Sequence, residues 1–530
     1  MSHRGSLAWT TVLAMLASLR LAQAAPAPST QPVLPALPPV SLTRAQVAAL
    51  DATLLGDAYD SANDQKLWDA HCLIERYFAC DSSAERKLAV KAISAIGLPP
   101  WMLGRLTHVR LTWPQLRPGV YYIDAQQGPT PVHYFLGVPA RYTPAKAWPL
   151  VIMLPTPQAF LTQPPPDPQD VTDIYTQWIQ QELTLHADAL VLMPLLNLTD
   201  LYGPGYAGMN DVIQPMIHAA SEANINPARV YLVGHAMAAH AVWNIALHYA
   251  TYFAAINPMA GGASADWQRL RMRNLLNVLP VVWHDSDDMD IPVKESRDIV
   301  DVLHRLKVDV EYDETHGLGH APRPDVIEDC YQKMRARVRE LYPAEVAIQS
   351  DRPDSEFNRI DWIQVYQEIS PGSDVVVRYG QKSFFHLYQN SFSLDALFDQ
   401  ANHFDISTRN VETMRLYFND QMVDFSKPVT ITVNHRVRFS GMLHQDIDQM
   451  LRDELFLGRG WRYFTAILDM DLATDLDDDA PRTSHATAAR PAPRSHGTAE
   501  MIGPDGKIYR FGGGSSDGGS SSGSDNNTGN

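Results

Sequence analysis

The sequence predicts an α/β protein, a doubly wound and mostly parallel sheet with a helical N-terminal extension and a small β-rich C-terminal domain. Three observations carry this. Between Gly119 and Leu341 short apolar runs alternate with stretches of helical period. The runs are continuous rather than alternating, the pattern of strands covered on both faces by crossover helices. After Leu341 short strand-like runs follow one another with turn residues between them.

Residues 1–24 read as a cleaved signal peptide, with Arg4, a largely apolar Leu7–Leu19 run and a small-x-small site at Ala22-Gln23-Ala24. Export to a periplasm or beyond is the expectation. The run is too short for a permanent span, and no later segment reaches about 18 apolar residues, so no membrane span is expected. Residues 25–42 are Pro- and Ala-rich and read as an extended linker. Over 43–104, Ala45, Ala48, Ala49 and Ala52, then Leu73, Ile74, Ile93 and Ile96, give a helical extension expected to pack on the main domain.

Residues 105–345 form the α/β domain. Strands are expected at Val132–Val138, Leu150–Leu154, Ala189–Met193, Val230–Val233, Val278–Trp283 and Val308–Tyr312. Helices are expected at Ile213–Ala223, His240–Tyr249, Val293–Leu306 and Pro324–Leu341. Residues 351–472 are the β-rich domain, with strands at Val375–Tyr379, Met414–Phe418, Val429–Val433, Val437–Phe439 and Tyr463–Leu468, and a helix at Gln445–Leu455. Asn434-His435 suits a tight hairpin turn. Phe384, Phe385, Tyr388 and Phe392 read most simply as core, with a carbohydrate-binding or domain-contact face as the alternative. Residues 473–530, poor in aromatics and rich in Gly, Ser, Asp and Asn, read as a disordered tail.

A 530-residue chain is too long for one core, which agrees with several domains. The net charge of −17 argues against a nucleic-acid partner. Six aspartates of that excess fall within 469–479, a solvated face or the start of the tail. The cysteines, Cys72, Cys80 and Cys330, lack the spacing of a zinc site. Export permits a Cys72–Cys80 bridge, whereas a helix between them would hold the two too far apart to bond, so the sequence leaves the disulfide state open.

The informative stretch runs from Asn226 to Gly262. A buried strand, Val230–Val233, leads into Gly234-His235-Ala236-Met237-Ala238-Ala239 and then a helix, the strand–turn–helix setting of a G-x-S-x-G nucleophile elbow. The stretch resembles the α/β-hydrolase superfamily, in particular its secreted esterase, polyester-depolymerase and peptidase-like members, over about residues 105–345. The resemblance implies an α/β-hydrolase fold and a Ser-His-Asp triad in the chain order nucleophile, acid, histidine. Here the sequence departs from the pattern, with Ala236 at the serine position and Ala238 at the following glycine.

In His284-Asp285-Ser286-Asp287-Asp288-Met289-Asp290-Ile291-Pro292 the resemblance puts the acid at Asp288, with Asp285 replacing a glycine and Asp287 and Asp290 as rivals. In Thr315-His316-Gly317-Leu318-Gly319-His320-Ala321 it puts the histidine at His320, with His316 as the weaker choice. Thr156 and Met237 are the oxyanion candidates, Thr156 between Pro155 and Pro157, which lack N–H donors.

An alanine methyl cannot attack a carbonyl. The expected protein is therefore an impaired or inactive homologue of an ester or peptide hydrolase, with a small ester or peptide as possible ligand. Alternatives are an active hydrolase using another nucleophile, for which Ser264 and Ser286 are nearest, or a periplasmic or surface scaffold. No cofactor is expected. Nor is a metal expected at His235, His240, His284, His316 and His320, because His235 and His240 do not share a helix face. The C-terminal motifs Asn358-Arg359-Ile360-Asp361-Trp362, Met414–Phe418 and Lys427-Pro428-Val429 resemble a module attached to some bacterial secreted hydrolases, which implies no chemistry.

Overall fold

The computed structural model describes residues 33–155, 168–195, 209–263, 266–350, 358–370, 374–379, 383–388, 390–399, 401–472, 499–502 and 508–511. Residues 1–32, which include the expected signal peptide, Thr156, Ser264 and most of the C-terminal tail lie outside the described residues.

The chain opens with four helices, α1 (Arg44–Leu55), α2 (Asp64–Phe78), α3 (Ser83–Ala95) and α4 (Pro100–Leu106). Thr43 with Gln46 and Ser82 with Glu85 form capping boxes that start α1 and α3.

Eight strands follow: β1 (Gly119–Gln127), β2 (Thr130–Val138), β3 (Trp148–Met153), β4 (Leu190–Pro194), β5 (Ile225–His235), β6 (Ala255–Met259), β7 (Leu279–Asp285) and β8 (Glu311–Thr315). They form one sheet in the order β1-β2-β4-β3-β5-β6-β7-β8. Strands β1 and β2 pair antiparallel, as do β2 and β4, and every other pair is parallel. Between the strands run α5 (Pro168–Leu185), α6 (Gln214–Glu222), α7 (Met237–Tyr249), α8 (Lys294–Arg305) and α9 (Pro324–Ala336). Central strands are buried along their length because helices cover both faces. In α8 the buried residues Ser296, Ile299, Val300 and Leu303 recur at helical spacing, so one stripe meets the sheet. This is the α/β-hydrolase fold.

The C-terminal part is β-rich. Strands β9 (Glu345–Ser350), β10 (Arg359–Ile360), β11 (Ile363–Gln367), β12 (Asp374–Tyr379), β13 (Ser383–Tyr388), β14 (Phe392–Phe398), β15 (His403–Arg409), β16 (Thr413–Phe418), β17 (Val429–Val433), β18 (Arg436–Gly441) and β19 (Ala466–Asp471) are joined by one long helix, α10 (Ile447–Leu457). They form a five-stranded sheet β18-β17-β15-β14-β9, a four-stranded sheet β10-β11-β16-β19, and the β12–β13 pair. Asn434 and His435 have φ of 48° and 65°, the two positive values a type I′ hairpin demands, and they join β17 to β18 as the sequence predicts. Phe392 is fully buried in the core, whereas the side chains of Phe384, Phe385 and Tyr388 lie outside the described residues. In the tail, β20 (Ala499–Ile502) pairs with β21 (Ile508–Phe511).

The helical extension departs from expectation in what it packs on. Ile74, Tyr77, Ile93 and Leu103 share one hydrophobic core with Trp362, Leu416, Phe418, Met450 and Tyr463 of the β-rich part. The helices thus serve the C-terminal sheets more than the α/β core. Glu75 on α2 holds Arg459 with two bonds, 2.8 and 3.0 Å, across 384 positions of sequence. A buried ion pair ties the β-rich part to the α/β core: Asp361 accepts two bonds from Arg339, 2.7 and 2.8 Å, and one from Thr251 at 3.0 Å. Cys72 and Cys80 are unbonded, and the Cys80 thiol donates to the Arg76 carbonyl instead.

Candidate active site

Chain order reverses between β3 and β5, and in open α/β sheets ligands bind outside the carboxyl ends of the strands at such a point. Strand β5 ends there. Ala236 then turns the chain into α7 with φ 57° and ψ −121°, a conformation that non-glycine residues rarely hold, costing about 1–3 kcal/mol.

The surroundings hold the turn. Ala236 donates its N–H to the Met259 carbonyl and accepts from the Ala239 N–H, both at 2.9 Å. A Cβ on Gly234 would lie 2.7 Å from the Ala238 carbonyl oxygen, and one on Gly261 would lie 2.7 Å from both the Ala236 carbonyl oxygen and the Ala239 Cβ. The turn therefore needs glycine at 234 and 261, while Ala238 is accommodated, fully buried. Met237 opens α7, where first-turn amides have no partner within the helix and face an anion favourably.

The structure brings His320 and Asp288 together. His320 Nδ1 lies 2.9 Å from Asp288 Oδ2. Asp288 Oδ1 accepts the N–H groups of Asp290 at 2.8 Å and Ile291 at 3.0 Å. Burial opposes the Asp288 charge, but the Ile291 amide, the His320 ring and the Asp290 amide outweigh it, holding the carboxyl below the usual range. With Nδ1–H given to Asp288, His320 Nε2 carries the lone pair a general base needs.

Two clamps fix His320. The ring of His235, the residue before Ala236, sits 4.8 Å from the His320 ring, and its Nε2–H donates to the His320 carbonyl at 2.7 Å. Burial pulls the His235 pKa down although that carbonyl favours its proton, which suits a neutral donor. The second clamp is Asp285 at the end of β7. It accepts Thr315 Oγ1–H at 2.7 Å and the amides of Leu318 at 3.0 Å and Gly319 at 3.1 Å. Burial raises its pKa, yet these bonds and the Asp287 amide hold it at about 2. Sequence reasoning saw Asp285 only as a departure from glycine and gave His235 no role. Both act on a loop that reaches them from β8, and no local pattern records that.

The rival residues form a separate, exposed group. Ser286 Oγ lies 3.1 Å from His316 Nδ1, and Asp287 Oδ2 lies 3.2 Å from the same nitrogen. Serine and carboxylate compete there for one nitrogen, whereas a triad uses both. His316 is 83% exposed. Of the remaining histidines, His240 donates Nδ1–H to the Gly262 carbonyl, while His284, fully buried, meets Ser296 Oγ at 2.7 Å and the Ile291 carbonyl at 3.0 Å and brings Nε2 within 3.2 Å of Asp288 Oδ2, the oxygen His320 uses. Asp288, Asp290 and His320 present ligand-type atoms within 4.8 Å of one another. The Asp288 oxygens are already met by two amides, His320 and the buried His284, the bonding of a carboxylate held among histidines. Met289, between the two acids, is 93% exposed.

No family model and no curated protein matches the sequence. Among solved structures, a thermostable esterase is 19% identical over 42% of this chain and 63% of its own, with a TM-score of 0.33. A ferulic acid esterase is 10% identical over 41% of this chain and 95% of its own, TM-score 0.29. The acylaminoacyl peptidase of Pyrococcus horikoshii is 10% identical over 42% of this chain and 40% of its own, TM-score 0.32. The chain thus spans less than two thirds of the length of that esterase, and the α/β-hydrolase fold rests on its own sheet order and crossovers.

Proposed function

We propose that this chain is an exported α/β-hydrolase homologue that binds an ester or peptide carbonyl above Ala236 and turns it over poorly or not at all. One observation carries the reading: His320 is bonded to Asp288 at 2.9 Å and clamped by His235 beside an elbow turn whose apex has only a methyl group. In this reading Ala236 stands at the nucleophile position. Met237 and Thr156 would supply oxyanion N–H groups, and His320 and Asp288 would be an inherited base and acid. In an unrelated triad enzyme the loss of the serine costs about 10⁶ in turnover and leaves roughly 10³–10⁴ over water. Export is supported by the signal-peptide pattern of residues 1–24.

The test is hydrolysis of short-chain p-nitrophenyl esters by the purified protein, its Ala236→Ser and His320→Ala variants, and the two substitutions combined. Turnover by Ala236→Ser alone, lost on adding His320→Ala, supports the reading. Turnover by the unmodified protein that His320→Ala abolishes would mean a working enzyme with another nucleophile. Absence of turnover and of saturable ester binding in every variant would favour a scaffold.

A further inference from the structure

We infer that His284 is a positioning residue for His320, acting from the buried side through the carboxylate they share, and this rests on the reading of His320 as base and Asp288 as its acid. A triad acid ordinarily serves one histidine. Here two imidazoles flank one oxygen: His320 Nδ1 lies 2.9 Å from Asp288 Oδ2, and His284 Nε2 lies 3.2 Å from the same atom. The His320 side chain is 18% exposed, whereas those of His284 and Asp288 are wholly buried.

An ionised carboxylate has about four lone-pair sites. At Asp288 four N–H groups face them. The amides of Asp290 and Ile291 meet Oδ1 at 2.8 and 3.0 Å, and the two rings meet Oδ2. A buried acid so surrounded is held in one rotamer. With one of the four removed, a buried charge is left short of a partner, which is costly and favours rotation or a bound proton.

The neighbours of His284 fix its tautomer. Nε2 meets two acceptors, the Ile291 carbonyl at 3.0 Å and Asp288 Oδ2, and so carries a proton. That N–H bonds the Ile291 carbonyl and lies against the carboxylate beside it. In the neutral ring Nδ1 then accepts the hydroxyl of Ser296, fully buried on α8, at 2.7 Å.

The bonds around the acid also close on themselves. His284 holds the Ile291 carbonyl, the Ile291 N–H returns to Asp288 Oδ1, and Asp288 Oδ2 lies back against His284. The acid loop is thereby tied to β7 through His284 and to α8 through Ser296. Consecutive residues at the end of β7 divide the work: Asp285 bonds the backbone of the histidine loop, and His284 holds the acid that the histidine meets.

The experiment reads two signals from His284→Gln, His284→Asn and His284→Phe. A Gln amide nitrogen reaches the place of Nε2, an Asn amide only that of Nδ1, and Phe keeps a ring without either nitrogen. The first signal is the proton NMR resonance of His320 Nδ1–H in the full chain, identified by its loss in His320→Ala; it requires no turnover. The expected result is a resonance kept in His284→Gln and lost to exchange or moved upfield in His284→Asn and His284→Phe. The second signal is hydrolysis of short-chain p-nitrophenyl esters in the Ala236→Ser background. There kcat is expected to fall about ten-fold or more with Asn or Phe while KM stays within about two-fold, and Gln recovers most of the loss. A ring that only fills space predicts the opposite order, with Phe mildest because it keeps the volume. That order, a resonance unmoved in every variant, or no such resonance in the unmodified protein overturns this role. Should His284→Phe fail to fold, Gln against Asn decides, and equal resonances in those two overturn it. Should Ala236→Ser hydrolyse no ester, the function proposed above fails, and the resonance still decides the role of His284.

Discussion

The Asp285 carboxylate accepts the backbone N–H of Gly319 at 3.1 Å, and this bond across two loops sets where the next residue, His320, stands. Thr315 Oγ1 and the Leu318 amide anchor the same carboxylate, so one buried acid holds both ends of the histidine loop.

Asp285→Asn is therefore expected to be disproportionately harmful for a near-isosteric change. An amide side chain has one acceptor oxygen where the carboxylate has two, and its NH₂ would face amide donors. Hydrogen bonds to charged groups are each worth about 1.5–3 kcal/mol, so a loss of roughly 2–3 kcal/mol in denaturant unfolding is expected. In an Ala236→Ser background turnover should fall further than ester binding, because His320 loses its place. An unchanged midpoint together with unchanged turnover would remove Asp285 from this role.

Gly261→Ala tests the room beneath the elbow. The added Cβ would lie 2.7 Å from the Ala236 carbonyl oxygen, a backbone atom that cannot move alone. Overpacking of this kind costs about 1–3 kcal/mol. The expected outcome is lower thermal stability and, with Ala236→Ser, at least a ten-fold loss of ester turnover. Wild-type stability and turnover would show that the turn relaxes freely.

How far the molecule was legible beforehand follows from what each segment must satisfy. Strands β3, β4 and β5 contain continuous apolar runs because helices cover both their faces, and they stand out. Strand β6 has Asn257 and Pro258 in its middle and escaped notice. Its Asn257 is fully buried and donates to the Val281 carbonyl, a solution only the folded sheet reveals. Strands β14 and β15 alternate buried residues with Asp395 and Asp405 and lack a long apolar run. Ala236, Asp288 and His320 stand out in the sequence because each follows its strand in a recognisable local pattern, and the fold brings His320 to Asp288. The shared core of the first four helices and the C-terminal sheets was not, since an apolar helix stripe does not name the surface it covers.

Glu454 on α10 gives a pH dependence. It is 1% exposed, accepts the Gly460 amide at 3.0 Å, and burial pushes its pKa up to about 8. The folded state thus keeps a proton that the unfolded chain releases above about pH 4.5. Its contribution is fully present below that value and is lost as pH rises toward 8. Glu454→Gln, always neutral, is expected to be more stable than the unmodified protein at pH 8 by about 2–4 kcal/mol and similar at pH 4.5. Parallel stability–pH curves for the two proteins between pH 4.5 and 8 would count against a neutral Glu454.

The elbow itself makes the last prediction. Ala236 holds φ 57° and ψ −121° without a hydroxyl group to present, at a strain of about 1–3 kcal/mol. Glycine adopts such angles freely, and at the residue preceding a helix it costs only a few tenths of a kcal/mol relative to the best caps. Against the relief stands the added freedom of glycine in the unfolded chain, about 0.4–1 kcal/mol. Ala236→Gly should therefore raise stability by about 1 kcal/mol, and Ala236→Val, whose branched side chain suits positive φ worse than alanine, should lower it. Thermal midpoints of the two variants measure this directly. A fall in both would mean that the Ala236 methyl contributes packing worth more than the strain it carries.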